Sequence, residues 1–148
     1  MNYQLDSLQP IANVVIERYE GAGLSSLSRP QQTFLLVWCF GGEVDNGGFE
    51  QFFCNSMGDE SLPTVQALHD VGAHDSARLL QRANDVFGPT GPPIDFDERN
   101  EALSNLDEES QLSLDVINQE YFLMREDHLL LLEQFVVKHQ NAFGTDAR

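Results

Sequence analysis

Asp45-Asn46-Gly47-Gly48-Phe49-Glu50-Gln51-Phe52-Phe53-Cys54-Asn55-Ser56-Met57 is the stretch on which the fold turns. Asp-Asn-Gly-Gly is the strongest turn signal in the chain, and taken locally it could close a β-hairpin. The residues after it argue otherwise. Phe49, Phe52, Phe53 and Met57 recur at the spacing of one helical face, so the turn reads as a corner between two helices. Gly47 or Gly48 would then supply a positive φ or a close backbone approach.

Upstream, Thr33 to Phe40 is nearly all apolar. Such a run fits a buried strand or a buried helix. Ser28 as cap, Pro30 in the first turn and the continuation to Val44 favour a central helix. Before it, Leu8, Ile11, Val14 or Val15, and Tyr19 mark a helix over roughly Leu5 to Glu20, with Pro10 in its first turn and Gly21-Ala22-Gly23 as its stop.

Downstream, Ser61-Leu62-Pro63 opens a helix with Ser61 as cap, carrying Val65, Leu68 and Val71, and Gly72 closes it. Asp75 to Phe87 reads as the next, with Ala77, Leu80, Ala83 (or Asn84) and Phe87 inward. Gly88 to Pro93 is irregular. Asp97 to Leu106 and Ser110 to Met124 are two further helices, the second built on Leu114, Ile117 and Tyr121. Asp127 to Phe143 is the C-terminal helix, with Leu129, Leu132 (or Leu131), Phe135 (or Val136) and His139 on one side and Gly144 at its end. The expectation is an all-α fold, a compact single-domain bundle of about seven or eight short helices over residues 1–148.

The 148 residues carry 24 Asp and Glu against eight Lys and Arg, a formal net charge of -16 at pH 7. Lys138 is the only lysine. A chain so acidic repels nucleic-acid phosphates and anionic membrane surfaces, and attracts basic proteins. With 41% hydrophobic residues and ten phenylalanines it is not a disordered acidic tail. No apolar run approaches the roughly 20 residues of a membrane span, and the N-terminus has no basic and apolar leader pattern, so a cytoplasmic location is expected. Cys39 and Cys54 form no CxxC pair and, among aromatic and aliphatic residues, read as buried free thiols.

The charge is concentrated. Residues 95–127 hold eleven carboxylates, Asp95, Asp97, Glu98, Glu101, Asp107, Glu108, Glu109, Asp115, Glu120, Glu126 and Asp127, opposed by Arg99 and Arg125. Two readings stay open. One is a solvated face, with acids near helix N-termini favoured by the helix dipole. The other is an array of carboxylates presented to a basic partner, which would recover the stability lost to self-repulsion.

No P-loop, dinucleotide fingerprint, zincin motif, cysteine ladder or hydrolase nucleophile elbow is present. His69 and His74, with Asp70 or Asp75 nearby, lack i,i+4 ligand spacing and read as surface histidines. Glu43, Asp45 and Glu50 could in principle do acid/base work. The plainer reading is structural. Glu43 and Asp45 would accept backbone N–H bonds, Asn46 would make an Asx turn, and Gln51 and Asn55 would tie the corner to neighbouring backbone. Neither metal nor cofactor is expected.

The run from Glu43 to Gly58 resembles the signature of the neisserial DNA-mimic protein family, a group of small bacterial proteins. Thr64 to Leu68, Val71-Gly72-Ala73 and the aromatic-ended helix from Leu129 to Phe143 extend the resemblance over about residues 30–143. The resemblance implies an all-helical fold, dimerisation and no catalytic residues. It also implies surface carboxylates that imitate DNA phosphates and occupy the DNA-binding surface of a transcription factor. Asp45, Asn46, Gly47, Gly48, Phe49, Gln51, Phe52 and Asn55, which carry the match, read as fold determinants. The leading expectation is therefore a non-enzymatic acidic module binding a basic, DNA-binding protein. The alternatives are an immunity or inhibitor protein against a basic toxin, and a small-ligand binder or hydrolase using the corner from Glu43 to Asn55.

Overall fold

The computed structural model describes residues 3–124 and 126–144. Eight α-helices make up the regular structure of these residues, with short 3-10 turns at Leu24–Ser26 and Ser56–Glu60 and no strand. They are α1 (Tyr3–Ala22), α2 (Arg29–Cys54), α3 (Ser61–Asp70), α4 (His74–Asp85), α5 (Phe96–Ser104), α6 (Glu108–Leu123), α7 (His128–Lys138) and α8 (Gln140–Phe143).

The central helix α2 packs against α1, α3, α5, α6, α7 and α8. Its sequence explains the position. Phe34, Val37, Phe40, Val44, Phe49 and Phe53 are fully buried, and Leu35 and Phe52 nearly so. Each such side chain contributes about 1.5–3 kcal/mol by leaving water. Phe40 lies at the centre of an aromatic cluster, with ring centroids 5.7 Å from Phe49, 5.4 Å from Phe52 and 6.1 Å from Tyr121. Edge-to-face geometry suits the ring quadrupoles. The N-terminus of α2 carries a full capping box: Ser28 Oγ accepts the Gln31 N–H while Gln31 Oε1 accepts the Ser28 N–H.

The corner is tighter than a turn. The helix runs through Asp45-Asn46 and bends at Gly47 and Gly48, resuming at once at Phe49. Gly48 has φ 77°, where a side chain would be strained. A Cβ there would also lie 2.9 Å from Asn118 Oδ1.

Periodicity located the helices, and packing moved several details. Pro10 lies inside α1 rather than in its first turn, because the helix begins at Tyr3. Val15 is the inward residue of α1, and Val14 is 60% exposed. Ser61 is the first residue of α3, not its cap. It is buried, the cap position is Glu60, and Thr64 Oγ1 donates to the Glu60 carbonyl. The α5, α6 and α7 helices start after Asp95, Asp107 and Asp127, each of which accepts a backbone N–H three residues on. The expected final helix is two, because the backbone leaves helical geometry at His139 before α8.

Cys39 and Cys54 are free thiols and only partly buried. Burial is the main cause pushing the Cys39 thiol up to about 12, with Glu43 and Glu20 adding to it.

Candidate protein-interaction surface

The eleven acids of residues 95–127 fall into three groups. Asp95, Asp107 and Asp127 cap helices, each through one oxygen, and remain exposed. The hydrogen bonds to Ser110 hold the Asp107 carboxyl below the usual range. Two more acids are spent on partners. Glu120 pairs with Arg82. Glu126 is turned inward, where Oε1 accepts the Ser76 N–H at 2.8 Å and Oε2 the Asp75 N–H at 3.1 Å. It thereby caps α4, whose own cap position is Ala73. The remaining six, Asp97, Glu98 and Glu101 on α5 and Glu108, Glu109 and Asp115 on α6, are exposed and make no ion pair among the described residues. Asp97 and Glu101 stand one turn apart, about 6 Å along the helix axis.

Arg99, one of the two cations expected to offset this array, is fully buried. Nε donates to the Phe53 carbonyl at 2.6 Å, Nη2 to Asn55 at 2.9 Å and Nη1 to Ile94 at 2.9 Å, and Nη1 pairs with Asp59 at 2.8 Å. It satisfies carbonyls at the C-terminus of α2, where a cation suits the helix dipole. Gly58 leaves it room, for a Cβ there would meet Nε at 2.7 Å. Arg99 thus fixes α5 to α2 and does not neutralise the acids around it. Arg125, the other expected cation, lies outside the described residues.

The corner residues do not converge on a site. Glu43 and Asp45 bond side chains and not the backbone N–H groups expected, and Asn55 donates its side-chain amide to Glu43 and not to backbone. Asp45 accepts the Tyr121 hydroxyl at 2.8 Å, Asn46 donates to the Gln51 side chain at 3.0 Å, and Glu50 accepts Asn118 at 2.8 Å. Each carboxylate points to a different neighbour, so none is aimed with another at a common substrate atom.

A second polar cluster was not visible in the sequence. Ser76 Oγ lies 2.6 Å from His128 Nε2 and 2.6 Å from Glu126, and the Tyr121 hydroxyl lies 3.4 Å from His128 Nδ1. Burial lowers the His128 pKa, against the raising effect of Glu126, Asp45 and Asp127. Burial, with Asp45 next, raises the Tyr121 hydroxyl. In a serine-hydrolase triad the acid holds the histidine and leaves the serine open to substrate. Here Glu126 holds the serine itself, and Ser76 is fully buried. The cluster ties α4, α6 and α7 together. At the α3–α4 break, His69 and His74 share one Nδ1–Nδ1 contact of 2.8 Å. No group of three or more metal-ligating side chains gathers among the described residues.

The described residues form an all-helical body that exposes unpaired carboxylates on α5 and on α6. The chain belongs to the DMP19-like protein family, whose pattern it matches over residues 25–139. No curated protein and no solved structure matches it. Membership supports a protein-interaction role of the DNA-mimic kind with a DNA-binding partner, and is consistent with a non-enzymatic protein. No helix of the described residues is long and apolar enough to cross a membrane.

Proposed function

We propose that the exposed carboxylates of α5 and α6 stand in for DNA phosphates and occupy the nucleic-acid-binding surface of a basic regulator in the cytoplasm. The observation that carries this reading is the burial of Arg99 against α2, which leaves Asp97, Glu98 and Glu101 without the cation that the sequence places among them. Asp97 and Glu101, spaced i,i+4, stand one turn apart on the same face of α5 and so present successive negative charges along one edge. The exposed caps Asp95, Asp107 and Asp127 add to the negative charge of the same segment. Two copies of the chain would present two such arrays to a two-fold symmetric regulator.

Affinity capture from native lysate, followed by mass spectrometry, tests the reading. A basic DNA-binding protein should be retained, released by high salt and displaced by duplex DNA. The charge-neutral variant Asp97→Asn/Glu98→Gln/Glu101→Gln should retain less of it. Retention of nothing basic, or capture indifferent to duplex DNA, overturns the proposal.

A further inference from the structure

The helix α6 is apolar on two sides. Leu114, Ile117 and Tyr121 face the core, while Leu112 and Val116 point away from it at 57% and 47% exposure. The outward pair lines a groove of about 580 Å³ between α4 and α6, with Val86 on the α4 side and Asp85 and Glu109 among its lining residues. The one cation in the lining, Arg82, is already held by Glu120.

We propose that this groove receives an amphipathic, basic α-helix of the protein partner. The inference rests on the reading of a basic partner and adds the mode of contact. Leu112 and Val116 are one turn apart, about 6 Å along α6, which matches apolar residues spaced i,i+4 on a guest helix. Lysines or arginines flanking the guest's apolar stripe would meet Asp85 and Glu109. A second copy docked by this same face is the poorer occupant, because it would set Asp85 and Glu109 of one copy against those of the other. An apolar floor also has no counterpart in imitating a phosphate backbone, so it adds contact area that electrostatics alone would not use.

The test uses two synthetic helix-forming peptides of identical Ala, Leu and Lys composition. One carries its leucines in an i,i+4,i+7 stripe, and the other has them dispersed around the helix. Binding to the full chain is read by fluorescence anisotropy at low and high salt. The striped peptide should bind about tenfold more tightly than the dispersed one, as expected for burying two half-exposed aliphatic side chains. It should also keep more of its binding at high salt. Leu112→Ser/Val116→Ser preserves the net charge and changes only exposed positions, and it should erase the difference by weakening the striped peptide to the level of the dispersed one. Equal affinities for the two peptides, or no effect of the double substitution, overturn the groove and leave the basic-partner reading standing. Failure of both peptides to bind at low salt overturns both. A fall in sedimentation mass caused by the double substitution would assign the groove to a contact between copies and also overturn the proposal.

Discussion

Asn118 Oδ1 accepts the Phe49 N–H at 2.9 Å, so a side chain of α6 caps the second half of α2 at the point where Gly48 breaks it. A helix interrupted in the core leaves N–H groups without intrahelical partners, and a buried unpaired donor is costly. Asn118 also donates to Glu50 Oε1 at 2.8 Å, which orients its amide. Removing it with Asn118→Ala should destabilise the fold by about 1–2 kcal/mol, measured as a lower urea midpoint with an unchanged slope. Asn118→Asp keeps the acceptor but sets a carboxylate against Glu50. That pair resists double ionisation, so the variant's deficit should shrink as pH falls.

Gly48→Ala should cost about 1–3 kcal/mol through its positive φ, plus the clash with Asn118. Only the clash involves Asn118. In a double-mutant cycle, Gly48→Ala should therefore cost less in an Asn118→Ala background than in the natural protein. Strict additivity would show that the close contact is relieved by movement.

Arg99→Met should be among the most damaging single changes, at about 3–5 kcal/mol, because it leaves buried carbonyls without donors. Arg99→Lys should rescue only in part, since one ammonium cannot span the carbonyls that the guanidinium fork reaches. Asp59→Asn, at a partner 37% exposed, should be milder. Chemical denaturation of the three variants ranks them.

Stability should fall as pH drops below the usual histidine range. His128 has a lowered pKa in the folded state, so the unfolded chain takes up protons first and the folded form loses ground as pH decreases through that window. Glu60 works in the opposite sense nearer the carboxylate range. Burial, with Asp59 next, raises its folded pKa, so its contribution favours folding as pH falls. Urea midpoints between pH 7.5 and 5.5 should show the His128 slope, and His128→Asn should flatten it even if the variant is less stable throughout.

Salt should stabilise the free protein. At a formal charge of -16 the folded chain repels itself, and ions screen that repulsion over about 10 Å at 0.1 M. The thermal midpoint should rise between 0.05 and 0.5 M NaCl. The triple variant Asp97→Asn/Glu98→Gln/Glu101→Gln should respond less steeply. A flat response would mean that the array is neutralised internally.

The helices were legible because their signals are local. Ser28 with Gln31 forms the box its spacing announces, and the phenylalanines at 49, 52 and 53 face the core that their period requires. Apolar periods placed α5, α6 and α7 as well, with expected starts at Asp97, Ser110 and Asp127 against the observed Phe96, Glu108 and His128. Such features depend on hydrogen bonds three or four residues long and on the side of a helix that is apolar. A linear sequence carries both.

The rest depended on contacts between distant residues. Sequence spacing could not show that Asn118 would cap a helix 69 positions earlier, or that Glu126 would cap α4 from 50 positions away. Nor could it show that Arg99 would be buried on α2 instead of standing among the acids. The sequence by itself determined an acidic, all-helical chain with its charge gathered in residues 95–127. Only the tertiary structure decided which of those carboxylates are spent on helix ends and cations, and which stay free. The physical reason is that composition sets the total charge, whereas the charge a partner meets depends on which groups find partners across the fold.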